Sequence, residues 1–249
     1  MSTSSPPAVR SLLPPLVATL IALAILIALG TWQLQRKAWK EDLLRQIETR
    51  AHATAGEIVP ESRWLAWRAA EDEFRRVRLD GTSRPDQMVA VGGLAELRPR
   101  QATQGFYFFV PLVLPDGAVV FVNRGFAPTE LRREAEAALR AAPPTASVTG
   151  LVRAPETRGL FVPENVAARD SWWVRNLDDM ARARGLARVA PFYIDAVAGE
   201  MPGEWPKGGQ TQLALRNNHL QYAVTWFGLA CTLVGVFGVF AWKRMTGRD

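Results

Sequence analysis

Residues that commonly carry chemistry are scarce in this chain of 249 residues. It has one cysteine, Cys231, which excludes an intramolecular disulfide and any zinc or copper site made of paired thiols. It has two histidines, His52 and His219, so a histidine-based triad would need one of them. The short motifs of serine hydrolases, zinc proteases and nucleotide-binding proteins are absent. These absences predict that the protein is not an enzyme.

Formal charge is missing from two long stretches of the sequence. No residue between Arg10 and Arg36 is charged, and none from Asn217 to Trp242 if His219 is neutral. About 20 apolar residues cross the core of a bilayer, so each stretch predicts a transmembrane helix. The predicted segments are a cytoplasmic tail at 1–11, a first span at 12–34, a periplasmic β-rich domain at 35–215, a second span at 220–242 and a cytoplasmic tail at 243–249.

The first apolar stretch has two interpretations. Ala28-Leu29-Gly30 fits the small-residue cleavage site of a signal peptide, which would release a soluble domain. The helical spacing continues beyond that site, however, through Trp32 and Arg36 to Trp39. This continuation favours an uncleaved anchor helix, and the intact mass of the mature chain distinguishes the two.

The net charge of +6 does not predict nucleic-acid binding, because the arginines are interspersed with acidic residues. Lysine and arginine counts near the spans do not fix the orientation either, since a long loop is largely exempt from the positive-inside rule. A short tail before an apolar anchor favours a cytoplasmic N-terminus. With no Arg- and Ser-rich leader in front, we expect a multi-pass protein of the bacterial inner membrane with a periplasmic central domain.

The segment between the spans alternates short apolar runs with turn residues. Pro115-Asp116-Gly117 joins two such runs as a hairpin. Asn176 and Gly185 fit the two ends of a short helix, and another helix is predicted at 129–140. The expected fold is two transmembrane helices flanking a small antiparallel β-barrel or sandwich domain with short helices. The predicted strands are 74–79, 88–91, 106–114, 118–123, 147–153, 171–175 and 191–197.

A short polar segment precedes the apolar part of the second span and contains one of the two histidines. His219, Tyr222 and Trp226 follow the i, i+3, i+7 spacing of one helix face, with Arg216 three residues earlier. Aromatic residues at a membrane interface commonly form a belt, and His219 then needs no further role. Alternatively, neutral imidazole suits haem iron, and a nearby arginine suits propionates. The residues alone leave both interpretations open.

Two other segments contain residues of interest. One repeats the pairing of an aromatic residue with an arginine, and the other has a glycine where the backbone is tight. Trp32 and Arg36 lie at the matching end of the first span, where Arg36 also fits a head-group anchor. Asn123-Arg124-Gly125 ends the second strand of the hairpin, where a glycine indicates a positive φ or a close backbone approach. We interpret these three residues as structural or partner-contacting.

A series of motifs in family order resembles the surfeit locus protein one (Shy-type) family of cytochrome oxidase assembly factors. The resemblance covers nearly the whole chain, and its most specific parts are the first and last motifs and the Asn-Arg-Gly motif. Phe126 departs from the family pattern, where a tryptophan is usual. The matching pieces are Leu29-Gly-Thr-Trp-Gln-Leu-Gln-Arg36, Trp39-Lys40, Gly105, Pro111-Leu112, Asp116-Gly117, Val122-Asn-Arg-Gly-Phe126, Gly150, Phe161-x-Pro163-x-Asn165, Trp172-Trp173, Pro206-x-Gly208-Gly209 and Asn217-Asn-His-x-x-Tyr-Ala-x-Thr-Trp-Phe227.

This resemblance implies a role in maturing the haem-copper oxidase, at the step where haem a reaches subunit one. It implies transient haem a binding with His219 as axial iron ligand, and subunit one and haem a synthase as partners. The expected cofactor-binding residues are His219, Tyr222, Trp226, Arg216, Trp32 and Arg36. The main alternative is a cofactor-free membrane scaffold that holds a nascent oxidase subunit.

Overall fold

The computed structural model describes residues 7–199, 204–210 and 217–246, with side chains from Leu12 onward. The chain divides into two compact units. Residues 1–46 and 214–249 form a helical unit, and residues 47–213 form a β-rich unit. The predicted order of two apolar helices flanking a β domain is confirmed.

Two long helices make up the described part of the helical unit. Helix α1 spans Pro7–His52, and its last turns belong to the β-rich unit; α5 spans His219–Thr246. Both are long and apolar enough to cross a membrane, which indicates a membrane protein. Helix α1 begins earlier than the Pro14-Pro15 pair, and it continues past its apolar part without a break.

Within its described residues, the β-rich unit contains one mixed sheet of seven strands. Across the sheet the strands follow the order β1-β2-β6-β7-β5-β4-β3. The strands are β1 Gly56–Glu57, β2 Arg76–Ser83, β3 Val89–Arg98, β4 Gln101–Val113, β5 Val119–Pro128, β6 Thr145–Arg153 and β7 Val189–Ala196.

Strand pairing is mostly antiparallel, as expected, and the predicted hairpin is β4–β5. Two pairs are parallel, β1 with β2 and β5 with β7, so the sheet is mixed. A short additional pairing at Thr82 and Ser83 connects β2 to β4. This pairing curls the sheet back on itself, but the sheet is not a closed barrel.

The described part of the β-rich unit also has three short α-helices: α2 at Ala69–Asp72, α3 at Arg132–Ala141 and α4 at Leu177–Arg184. The predicted ends of α4 are confirmed. The Asn176 side chain accepts a hydrogen bond from the Asp179 amide, and Gly185 ends the helix with φ of 62°.

Alternation along the strands buries both faces of the sheet. On β7, Phe192 and Ile194 pack into one apolar cluster, while Tyr193 between them packs into another with Trp172 and Met180. A third cluster lies beneath α3 and includes Leu139. This core fixes which side chains at the strand ends lie together.

The strand predicted at 171–175 is not formed; only isolated bridges at Ser171 and Trp172 occur there. The reason is local. The side-chain oxygen of Asn165 accepts hydrogen bonds from the amides of Trp173 and Val174, at 2.9 and 3.0 Å. These amides are therefore satisfied by a side chain and do not need a strand partner.

Candidate functional site

The two long helices approach each other closely around Gly30. A Cβ atom on Gly30 would lie 2.7 Å from the ring of Phe227. On α5, Ala223 is also buried, with 1% of its surface exposed. Small residues at such positions allow helix backbones to come close. The contact face of α5 thus runs through Ala223 and Phe227, four and eight residues after His219.

His219 lies at the first turn of α5 and is hydrogen-bonded to α1. Its Nδ1 atom lies 2.8 Å from Oε1 of Gln33. Its backbone amide lies 3.4 Å from the side-chain oxygen of Asn217, an Asx contact that begins the helix. His219 is half-buried, so its position is fixed at the helix contact while part of the ring remains accessible.

The Gln33 contact determines the chemistry of the imidazole. An amide oxygen only accepts hydrogen bonds, so Nδ1 of a neutral His219 must donate its proton to it. The lone pair then lies on Nε2, the other ring nitrogen. Metal-binding histidines commonly donate their second nitrogen to an acceptor in this way. The described geometry therefore suits Nε2 as a ligand atom.

Two of the other residues predicted to contact haem are more exposed than His219. Tyr222 is 55% exposed and Trp32 is 53% exposed, while Trp226 is half-buried. Tyr222 therefore lies outside the contact between α1 and α5, where α5 places the buried Ala223. Exposed aromatic faces near a helix contact remain available to a flat ligand.

The two arginines predicted to bind propionates are Arg36 and Arg216. The guanidinium of Arg36 stacks on the ring of Trp39, 3.9 Å from its centroid, and Arg36 is exposed. Arg216 lies outside the described residues. Arg36 is held at one place on α1, which is a precondition for meeting an anionic group.

Asn123, Arg124 and Gly125 end the regular part of β5 in the other unit. The buried Asn123 amide donates to Asp195 at 2.7 Å and its oxygen accepts from the Gly125 amide at 3.1 Å. Gly125 has φ of 127°, and a Cβ there would lie 2.3 Å from the Lys207 carbonyl oxygen. Arg124 is half-buried. The motif allows the chain near Lys207 to pair closely with β5.

Sequence reasoning missed two groups of residues. Gln33 lies next to the predicted Trp32. A polar side chain within a transmembrane span usually has a structural or functional role, and this pattern could have identified Gln33. The charged pair Arg153–Asp195, at 3.0 Å, joins residues 42 positions apart, so no local pattern could reveal it.

Comparisons with known proteins agree on one family. A model of the SURF1 family matches residues 20–231. Surfeit locus protein 1 of Homo sapiens is 36% identical over 218 residues, covering 81% of this chain and 69% of that protein. That of Takifugu rubripes is 32% identical over 222 residues, covering 83% and 88%. A SURF1-like protein of Monosiga brevicollis is 31% identical over 225 residues, covering 86% and 82%.

Proposed function

Because the chain belongs to the SURF1 family, we propose that it assists the assembly of cytochrome c oxidase by binding haem a and aiding its delivery to subunit one. The family resemblance supplies the oxidase and the haem. The described residues supply the support for a binding site, and that support comes from the helical unit.

The observation that carries the proposal is the hydrogen bond from His219 Nδ1 to Gln33. It leaves Nε2 with a free lone pair and holds the ring in one orientation. Haem a, when bound, would supply an iron that His219 would hold through this nitrogen. Without an acceptor at Nδ1, the proton would be shared between the two nitrogens.

The remaining residues of the proposed site have separate tasks. Trp32, Tyr222 and Trp226 offer aromatic surface to a macrocycle, since two of them are largely exposed and Trp226 is half-buried. Arg36 offers a guanidinium to a propionate, as does Arg216 by its place in the sequence. A single neutral protein ligand makes release easier than a charged or double one would. Release is what a carrier requires.

The proposed location and partners follow from this role. We place the protein in the bacterial inner membrane, with residues 35–215 in the periplasm. Haem a synthase is the proposed donor and oxidase subunit one the proposed recipient. On this proposal the protein transfers haem without modifying it, so it needs no catalytic residue.

The test is the visible spectrum of the full chain, purified in mild detergent from cells that make haem a. The wild type should show a Soret band and reduced bands of an a-type haem. His219→Ala should lose them while keeping its helical and sheet content. His52→Ala is the matched control, because His52 is the only other histidine and is exposed. Equal haem content in wild type and His219→Ala would overturn the ligand assignment.

A cofactor-free scaffold is the second candidate, and an apolar loop tip favours it. Leu160 and Phe161 are 96% and 98% exposed in the β-rich unit. Fully exposed large apolar side chains often mark a protein contact. A colourless wild type that still co-purifies with oxidase subunits, and loses them in Leu160→Ser with Phe161→Ser, would favour this candidate over the carrier.

A further inference from the structure

A loop of the β-rich unit ends in an apolar tip, formed by Leu160 and Phe161. These side chains are 96% and 98% exposed, and every residue from 155 to 164 is exposed. Among the described residues, Leu65 is the only other large apolar residue that is more than nine-tenths exposed. Single exposed apolar residues are ordinary on a protein surface, whereas adjacent ones at a loop tip indicate a contact.

The backbone gives this tip a defined shape. The Val162 amide donates to the Gly159 carbonyl at 3.2 Å, which closes a turn whose two central residues are the apolar pair. Arg158 and Glu164 form an ion pair at 3.2 Å across the base of the turn. The loop therefore places both apolar side chains at its end and a pair of charges behind them.

Asn165 attaches the loop to the domain directly after the turn. Its side-chain oxygen accepts from the amides of Trp173 and Val174 at 2.9 and 3.0 Å, and its side-chain nitrogen donates to the Val174 carbonyl at 3.0 Å. Trp172, the preceding residue in the chain, is buried in the core. The tip thus stands on a fixed base, so binding would cost little ordering entropy.

The size of the tip favours a lipid surface over a protein surface. The scaffold candidate assigns the tip to a protein contact. A standard protein interface takes about 800 Å² from each partner, whereas one aromatic side chain buries about 150–250 Å². One phenylalanine and one leucine fall well short of a partner's share, so the tip is too small to hold a protein by itself.

The covalent connections of the β-rich unit also favour the bilayer. Its chain continues into α1 at one end and leads to α5 at the other, and both helices are long and apolar enough to span a membrane. Such a tether gives the lipid surface a high effective concentration, so a contact of only two side chains becomes populated. A free soluble domain would need a larger apolar surface.

We propose that the apolar tip inserts into the surface of the bilayer that α1 and α5 span. Leu160 and Phe161 enter the boundary of the acyl chains, and Arg158 and Glu164 remain among the head groups. The tip is then a third attachment of the β-rich unit to the membrane, and three attachments fix the orientation of the unit. The proposal requires the two spans and no haem.

The test is a polarity-sensitive fluorophore placed beside the tip of the full-length protein in phosphatidylcholine vesicles, with no other protein and no haem. In a Cys231→Ser background, Gly159→Cys carries the label, so both apolar side chains remain. A Cβ atom at Gly159 would lie 3.5 Å from Val162, an ordinary contact. The emission should shift to the blue relative to the detergent-free unfolded chain and should be quenched by lipids brominated on the acyl chain.

Substitutions in the tip separate its insertion from mere proximity of the domain to lipid. Phe161→Ser should lower the partition of the tip into lipid at least about tenfold, and adding Leu160→Ser should remove most of the quenching. Because both side chains are exposed, thermal unfolding should not change. Leu65→Ser is the matched control, since it removes an equally exposed leucine from the 3₁₀-helix Glu61–Ala66 and should leave the quenching unchanged.

The proposal is overturned if the label is not quenched in vesicles, if quenching survives both tip substitutions, or if Leu65→Ser abolishes it equally. A label that shifts only after oxidase subunits are added would assign the tip to a protein and would also overturn the lipid contact. None of these outcomes bears on haem binding, because no haem is present and the absorption spectrum tests that role separately.

Discussion

The amide of Gln33 decides which nitrogen of His219 is free. Its oxygen lies 2.8 Å from Nδ1, and the two residues are 186 positions apart in the chain. Sequence reasoning could single out His219 because histidine is scarce and the residue stands at the start of a span. It could not find the partner, because nothing in sequence spacing shows which residue of α1 faces α5.

Replacing Gln33 by leucine should change the tautomer of His219. Leucine keeps most of the volume but removes the acceptor, so the form protonated at Nε2 gains population. Haem affinity should then fall by roughly tenfold or more, the usual effect of losing the partner of a metal-binding histidine. Nitrogen NMR with labelled histidine measures the tautomer without haem, and a haem titration measures the affinity.

Gln35→Leu is the matched control, since Gln35 is an exposed glutamine on the same helix. It should alter neither measurement. An unchanged tautomer in Gln33→Leu would mean that the hydrogen bond is not important in solution. A changed tautomer with no haem binding in any variant would leave the hydrogen bond standing and count against the haem proposal.

At the scale of helices and strands, short sequence patterns correctly predicted the features that depend on residues close together in the chain, such as helix ends and turns. Asn176 and Gly185 marked the ends of α4, and the Pro-Asp-Gly turn marked the β4–β5 hairpin. The parallel pairing of β5 with β7 was not predicted, because it depends on the sheet order rather than on a local pattern. The strand expected at 171–175 does not form, because two backbone amides of that segment donate hydrogen bonds to the side chain of Asn165, several residues away.

Asp170 connects helices α3 and α4 and gives the domain an acid-sensitive contact. Its carboxylate accepts from the indole N–H of Trp172 at 2.9 Å and from Arg184 of α4 at 2.6 Å, and it lies 3.4 Å from Arg132 of α3. Burial alone would raise the pKa of Asp170. The hydrogen bonds from Trp172 and Arg184 and the charges of Arg184 and Arg132 outweigh it, so the pKa falls below its ordinary value of 3.8.

A lowered pKa means that the unfolded chain binds the proton more readily than the folded one. The contribution of Asp170 to stability is therefore present above its ordinary pKa and is lost as pH falls through its folded value. At pH 6 the wild type should be more stable than Asp170→Asn, by no more than about 1 kcal/mol because the group is partly exposed. Thermal unfolding at pH 6 and at pH 3 should show this gap narrowing in acid. A gap that stays constant would contradict the assignment.

At the scale of the whole molecule, the two apolar helices set the topology. Helices α1 and α5 each pass the length and composition test for a membrane span. Two crossings return the chain to the side of the membrane on which it starts. The two tails should therefore lie on one side of the membrane and the β-rich unit on the other. Charge counting could not fix the orientation, because the loop between the spans is long.

Cysteine labelling tests this arrangement, and the chain suits it because Cys231 is its only cysteine. In a Cys231→Ser background, single cysteines are placed at Ser4, at Ala137 on the exposed side of α3 and at Thr246. In intact bacterial cells with a permeabilised outer membrane, an impermeant maleimide should label only the cysteine at position 137. Lysis should expose the other two. Labelling at positions 137 and 246 but not 4 would mean that only α1 spans the membrane, and the proposed site at the two helices would then lack a membrane-spanning partner for α1.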